Sequence, residues 1–389
     1  MSGIFGRYFK GDRVIWTVVI ILSAVSLLAV YSSTGSLAYR FHGGSTTYFL
    51  IKQLIFLGLG LSIVFITHLI SYKVYYPLST ILLGISVPLL LITLVFGATL
   101  NQASRWLEVP GLGITFQTSD VAKLALIMYI SKILSQKQKD IKDLRQGFVP
   151  LVVPIGLICM LILPANFSTA ALLGLACWIM MFVGRVNLKY LLGFTGLGII
   201  LLGAFIVIAL QFKNVGRVHT WINRIENFAS GDNGDGNYQV EQSKIAIATG
   251  GIIGKGPGRS TQRNFLPHPY SDFIFAIIVE EYGLLGGAII LALYLILLFR
   301  SALIVKNAKR TFPAFLAFGL ALLMALQALV NMMVAVNLIP VTGQPLPLVS
   351  MGGTSLFFSS AAFGIILSIS RSQSKTELFD GEEPIEDNN

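Results

Sequence analysis

The sequence predicts an all-α, polytopic integral membrane protein with about ten transmembrane helices and one large extracytoplasmic loop. Three observations carry this. Of 389 residues, 54% are hydrophobic and only 12% are charged, whereas soluble domains carry roughly 25% charged residues. The mean hydropathy is +0.76. Apolar stretches of spanning length, about 20 residues each, recur along the whole chain. A soluble multidomain enzyme, a disordered chain and a collagen-like chain are excluded, because none sustains this hydropathy without lipid or a packed core. Cys159 and Cys177 both sit inside apolar runs, so neither a disulfide framework nor a thiol metal site is indicated.

The stretches are Val14–Ser32, Tyr48–Ile70, Tyr76–Phe96, Ser119–Leu134, Gly147–Leu163, Ser168–Val183, Tyr190–Leu210, Phe273–Phe299, Phe312–Val336 and Ser350–Ile369. The first follows Arg7, Lys10 and Arg13, but it is longer than the apolar region of a signal peptide and heads a series of further spans, so it reads as an uncleaved helix. Orientation follows from Lys and Arg. With the N-terminus inside, the inside segments gather those three residues, Lys73, Lys132, the run from Lys137 to Arg145, Arg185, Lys189, the run from Arg300 to Arg310, Arg371 and Lys375. The short outside loops carry only Arg40 and Arg105. Both termini are therefore expected in the cytoplasm. The net charge of +10 is largely explained by this bias, without nucleic acid.

A single membrane domain is expected over residues 1–370, interrupted by a large extracytoplasmic loop at 211–271 between the seventh and eighth spans. Loops of that length are usually functional. Residues 371–389 hold Glu377, Asp380, Glu382, Glu383, Glu386 and Asp387 with few apolar residues, and read as an acidic, disordered cytoplasmic tail.

Within the large loop, TGGIIGKGPGRS places Gly250, Gly251, Gly254, Gly256 and Gly258 around Lys255 and Arg259. Glycines let a backbone approach a ligand closely, and exposed N–H groups beside Lys255 and Arg259 suit phosphate. The run lacks the GK[ST] of a P-loop and the flanking elements of a dinucleotide fold. A turn between surface helices explains it equally well. His219 and His268 have no matching His or Cys spacing, so a zinc site is not expected.

The next segment, NFLPHPYSDFIFAIIVEEYG, sets Asp272 at the outer mouth of the eighth span, with Glu280 and Glu281 about two turns deeper. Charged groups at membrane depth are costly and usually functional. At 3.6 residues per turn, Glu280 lies roughly 80° around the helix from Asp272 and Glu281 roughly 180°. Asp272 suits a general base or a cation ligand, or alternatively an N-cap. The deep glutamates suit ion pairs with a buried Arg or Lys. Arg105, Lys123, Lys255 and Arg259 belong to a set of basic groups near the outer face that suits a diphosphate, and Lys123, inside an apolar helix, needs a partner or a ligand. Finally, VTGQPLPLVSMGGTS carries Pro340's neighbours Pro345 and Pro347, then Ser350, Gly352 and Gly353. No helix runs through it, so an ordered loop lining a cavity is expected.

These segments resemble the signatures of the SEDS family (shape, elongation, division and sporulation; FtsW and RodA). The resemblance rests on QSKIAIATGGIIGKGPGRS, FLPHPYSDFIFAIIVEEYG and PLPLVSMGGTS, with ASRWLEVPGLGITFQTSDVAK as the counterpart of the family's ARW...G...QPSE..K stretch. Together they span most of the chain from Ala103 to Ser355. The resemblance implies ten transmembrane helices and a peptidoglycan glycosyltransferase that polymerises lipid II at the outer face of the bacterial cytoplasmic (inner) membrane. It carries the family's essential aspartate onto Asp272, the arginine of ARW onto Arg105, the lysine after QPSE onto Lys123, and the serine and glycines of LPLxSxGG onto Ser350, Gly352 and Gly353. The family's LPExHTDF reads LPHPYSDF here, with His268 and Tyr270 replacing an acid and a histidine. QPSE ends in Asp120, and PDxGT becomes the stretch 164–169 around Asn166. GRSTQRNFLP looks closer to FtsW and SAAFGIILSI closer to RodA, with FtsW favoured.

Basic residues or a divalent cation, Mg2+ or Mn2+, would stabilise the departing diphosphate. The resemblance also implies a single-pass class B penicillin-binding protein packed on helices 8 and 9, where Gly287 and Gly319 would permit close approach, together with other divisome or elongasome membrane proteins. The competing readings are a lipid II flippase, weakened by the lack of an inverted repeat, and a non-catalytic divisome scaffold.

Overall fold

The fold is that of a computed structural model, which describes residues 10–35, 46–100, 103–109, 114–211, 221, 222, 224, 228 and 235–380. Each of the ten expected stretches falls on a helix. They are α1 (Arg13–Ser33), α2 (Thr46–Leu69), α3 (Tyr72–Phe96), α4 (Thr118–Gln136), α5 (Val149–Ile162), α6 (Phe167–Val183), α7 (Leu188–Gln211), α9 (Ile274–Asn307), α10 (Thr311–Ala335) and α11 (Thr354–Asp380), with α8 (Asp235–Gly250) inside the large loop. Among the described residues, seven helices are long and apolar enough to cross a membrane, and α6 and the Leu188–Ala204 part of α7 are shorter apolar helices. The chain is a multi-pass membrane protein. Helix α4 is outside both groups because Asp120, Lys123 and Lys132 interrupt it.

Two differences from the sequence reading concern secondary structure. Between α3 and α4 the chain forms a three-stranded antiparallel sheet, β1 (Ala98–Leu100), β2 (Ala103–Val109) and β3 (Ile114–Gln117). Trp106 pairs with Gln117 and Leu107 with Phe116, and the β-branched and aromatic content of these segments favours extended backbone. At the other end, α11 continues to Asp380, so no helix end marks the expected boundary at residue 371. Residues 381–389 lie outside the described residues.

Local chemistry sets the helix ends. The Asp12 carboxylate caps α1, accepting from Val14 N at 2.8 Å and Ile15 N at 3.3 Å, which satisfies N–H groups that have no intrahelical partner. Asp12 also binds Arg300 on α9 (Nη2–Oδ2 2.5 Å), tying the two helices together. Asn166 caps α6 through Thr169 N at 3.3 Å. Asn caps as well as Asp does, so the departure from PDxGT costs the fold nothing at this position.

Helix α10 is the centre of the bundle, with Leu316, Ala317, Leu320, Ala321 and Ala328 all fully buried. This corrects the expected partner surface. A Cβ on Gly319 would stand 2.6 Å from Met180 Cε and 2.9 Å from Ile127 Cγ2, so Gly319 serves packing against α6 and α4. On α9, Gly287 is buried against Val279 and Phe275 of the same helix. The exposed face of α9 is instead the stripe of Leu284, Leu285, Ile289, Leu295, Ile296 and Phe299.

Helix α9 is two helices joined at Gly283, whose backbone is at φ 70 and ψ −174. The glycine-rich run docks into this break. Lys255 N and Gly256 N donate to the carbonyls of Glu280 and Glu281 (3.0 and 2.9 Å), and Leu284 N and Leu285 N donate to those of Gly251 and Ile252 (2.9 and 3.2 Å). The exchanged bonds satisfy groups that a broken helix would otherwise leave unpaired.

Candidate active site

Three segments meet at one end of the bundle: the turn 268–272 before α9, the loop 339–353 between α10 and α11, and the start of α4. The loop is buried at Gln344 and from Leu346 to Ser350 and half-buried elsewhere, so its polar groups need partners, and the bundle supplies them. On α10, Asn331 Nδ2 donates to the carbonyls of Asp272 and Gln344, both at 2.8 Å, and Gln327 Nε2 donates to Pro345 O at 2.8 Å. Ser350 Oγ accepts from Leu346 N (2.8 Å) and donates to Ser271 O (2.7 Å). Met351 N reaches Tyr270 O at 2.9 Å. Tyr294 OH donates to Pro347 O at 2.5 Å. The proline-rich loop is thus an ordered cavity wall, and Ser350 stitches it to the strand of chain that ends in Asp272.

Beneath it lies a cavity of about 600 Å3 whose lining includes Asp272, Lys123, Asp120, Lys52, Tyr270 and Gly352. The Asp272 carboxylate accepts one hydrogen bond from a described residue, the Ser271 hydroxyl at 2.9 Å. The N-cap of α9 is Phe273, with no side-chain cap bond, so the capping alternative for Asp272 fails. Gly343, at φ +67, passes close to Asp272, and a Cβ there would sit 3.5 Å from Oδ2. Lys123, 7% exposed, binds Asp120 Oδ1 at 2.7 Å and Gln327 Oε1 at 3.5 Å. The other Asp120 oxygen is buried without a hydrogen-bond partner among the described residues. Tyr270 lies 3.4 Å from His268 Nδ1. Burial pushes its phenol up, and the neighbouring Asp272 carboxylate adds to this, so Tyr270 stays protonated at neutral pH.

Of the residues expected at the site, Asp272, Lys123, Gly352 and Gly353 line one cavity, and Ser350 braces its wall. Lys255 and Arg259 do not line it. Lys255 Nζ instead binds Glu280 Oε1 at 2.6 Å, and Arg259 is exposed. The glycine run approaches protein backbone: a Cβ on Gly254 would stand 2.2 Å from Glu281 O, and one on Gly250 2.2 Å from Val279 O. Glu280 pairs with Lys255 and Glu281 accepts from Ser260 N (3.2 Å) and the Ser32 hydroxyl, so neither glutamate is the partner of Lys123. Arg105 lies on β2, with its side chain outside the described part of the structure. Sequence reasoning missed Lys52, Gln327 and Asn331. Each is a polar residue in an otherwise apolar helix, a signal of the kind that singled out Lys123. Among the described residues no three His, Cys, Asp or Glu side chains form a metal cluster.

A bundle of apolar helices around a polar cavity lined by carboxylates and lysines defines the chain as a multi-pass membrane protein with a polar site inside its bundle. The chain belongs to the cell cycle protein family of FtsW, RodA and SpoVE, which it matches over residues 12–375. It is 34% identical over 367 residues to the probable peptidoglycan glycosyltransferase FtsW of Geobacter sulfurreducens, covering 92% of this chain and 95% of that protein. Stage V sporulation protein E of Bacillus subtilis is also 34% identical over 367 residues, with 92% and 97% covered. Among solved structures, the fold resembles a chain of a peptidoglycan synthase complex that coordinates polymerization and crosslinking (25% identity, 93% and 98% covered, TM-score 0.70). It also resembles the rod shape determining protein RodA of Thermus thermophilus (25% identity, 93% and 97% covered, TM-score 0.65).

Proposed function

We propose that this chain is a peptidoglycan glycosyltransferase that polymerises lipid II for the septal cell wall, with Asp272 as its general base. The observation that carries the reading is the Asp272 carboxylate in one cavity with Lys123 and Lys52, in a chain whose relatives bear that name. Asp272 takes the proton of the attacking sugar hydroxyl on one lipid-linked disaccharide. The hydroxyl oxygen bonds to the anomeric carbon of the other, and the bond from that carbon to the diphosphate oxygen breaks. The electron pair leaves with undecaprenyl diphosphate, whose charge Lys52 and Lys123 stabilise. Mg2+ or Mn2+, if bound, would be held by Asp272 and Asp120, both of which line the cavity, because such hard cations take few protein oxygens together with phosphate. It would supply charge neutralisation at the leaving group.

In this reading the chain crosses the cytoplasmic membrane ten times with the Asp272 end of the bundle at the outer face and both termini in the cytoplasm, an orientation that the positive-inside bias supports. The partner is a class B penicillin-binding protein. The test uses purified chain with labelled lipid II, with and without that partner. Glycan chains that disappear in Asp272→Asn support the reading. Failure of every preparation to polymerise overturns it in favour of lipid transport or scaffolding.

A further inference from the structure

Helix α11 opens into the polar cavity. It begins at Thr354 and runs for 27 residues, and Gly352, Gly353, Thr354 and Ser355, at its start, all line the cavity that holds Asp272. The peptide dipoles of a helix sum to about half a positive charge at this end, and its first N–H groups have no intrahelical acceptor. Two N–H groups are used locally: Ser355 N donates to Gly352 O at 3.1 Å and Leu356 N to Gly353 O at 3.3 Å. Those of Gly352, Gly353 and Thr354 have no acceptor among the described residues. Gly353 turns the chain at φ +55, and a Cβ there would meet nothing within 4 Å, so the turn faces open space.

The Thr354 hydroxyl points independently to a ligand. Thr354 is 7% exposed, and its Oγ1 is buried with no hydrogen-bond partner among the described residues. A hydroxyl at the start of a helix commonly accepts from a free N–H of the first turn, and this one does not. Leaving a buried hydroxyl unpaired is costly, and an acceptor delivered by a ligand removes the cost. The lysines of the cavity are not the whole answer to an anionic head group, because Lys123 is shared with Asp120 at 2.7 Å. At the helix start the free groups are N–H donors and one hydroxyl, so this end of the cavity takes an anion and rejects a cation.

We propose that the N-terminus of α11, together with the Thr354 hydroxyl, seats the diphosphate of the lipid-linked substrate. That this diphosphate is a leaving group rests on the glycosyltransferase reading above. Backbone donors are already oriented before the reaction, so they stabilise the charge that develops on the departing diphosphate with little reorganisation.

The test uses the full chain in nanodiscs and measures binding of radiolabelled undecaprenyl diphosphate, with undecaprenol and inorganic pyrophosphate as separate competitors. Thr354→Val, which keeps the size and removes the hydroxyl, should weaken binding by about tenfold, as expected for one hydrogen bond to a charged group. Thr354→Asp sets a carboxylate against the anion and should weaken binding further, by about a hundredfold. An acid in the first turn suits the helix, so the melting temperature of Thr354→Asp should stay near that of the parent. Thr354→Val carries the test alone if the aspartate variant misfolds. Undecaprenol, which lacks the diphosphate, should compete equally with all three forms. Unchanged affinity in the variants overturns the inference, and so does inorganic pyrophosphate competing as strongly as the lipid, which would make this a site for a free anion. A protein that polymerises lipid II but binds undecaprenyl diphosphate equally well in all three forms sinks this inference alone. One that loses the diphosphate in Thr354→Val but never polymerises in its parental form sinks the enzymatic reading and leaves the anion site standing.

Discussion

Asp272 is available for chemistry because the fold holds it by its backbone. Asn331 takes its carbonyl, Ser350 takes the carbonyl of Ser271, and the carboxylate is left with one hydroxyl partner. Asp272→Asn preserves the backbone bonds and the size, so the melting temperature should stay near that of the parent while polymerisation of lipid II falls by about 10²–10⁴, the usual contribution of a general base. Activity within a few-fold of the parent would show that the proton leaves by another route. Lys123 behaves differently, because it neutralises Asp120 inside the bundle. Lys123→Met strands a buried carboxylate and should cost about 3–5 kcal/mol of stability, whereas the double variant Asp120→Asn/Lys123→Met should regain most of it without regaining activity. Thermal melts in detergent, read beside the polymerisation assay, separate the two effects. A double variant as unstable as the single one would refute the pairing. Asp272 and Lys123 were legible from sequence because a charge in an apolar stretch is conspicuous. Lys52, Gln327 and Asn331 were passed over, although the last two are four residues apart and so share one face of a helix.

The glycine-rich run leaves two readings open in sequence for a physical reason: glycine permits close approach, but sequence does not say what approaches. Here it is the carbonyls at the break in α9. Gly254→Ala would combine a strained backbone at φ +92 with a Cβ 2.2 Å from Glu281 O. The strain alone costs about 1–3 kcal/mol, so the folded yield of this variant should collapse, and a normal melting curve would contradict the docking. The side chains of the same hairpin add a second constraint. Glu280 accepts from Lys255 Nζ at 2.6 Å, Thr261 N at 3.1 Å, Thr261 Oγ1 at 2.9 Å and the Ser260 hydroxyl at 2.5 Å. Lys255→Met should destabilise by less than the roughly 3–5 kcal/mol of a fully buried pair, because Lys255 is 28% exposed. Glu280→Gln should rescue it, and the folded fraction should keep its apparent affinity for lipid II. A raised KM without a change in melting would return Lys255 to the substrate.

The helical bundle was readable almost throughout, since apolar runs and their flanking charges dictate where helices form in lipid. What periodicity could not supply was the rank of each helix in the bundle. Helices α9 and α10 are apolar on nearly every side in sequence, yet α10 is buried at the centre, while α9 turns Leu284, Leu285, Ile289, Leu295, Ile296 and Phe299 outward. Small residues were therefore poor guides to an external contact, because a core helix needs them for its own neighbours. Gly319 shows this. A leucine there would meet Met180 and Ile127, so Gly319→Leu should lower folded yield whether or not a partner is present. If a single-pass class B penicillin-binding protein docks on α9, the residues that decide affinity are on the exposed stripe, where Ala288 and Ala292 lie among the larger side chains. Ala288→Trp and Ala292→Trp should leave the melting temperature unchanged and reduce co-purification with the transpeptidase by about tenfold, roughly 1.4 kcal/mol of binding. Undiminished capture by both tryptophan variants would move the partner off this face.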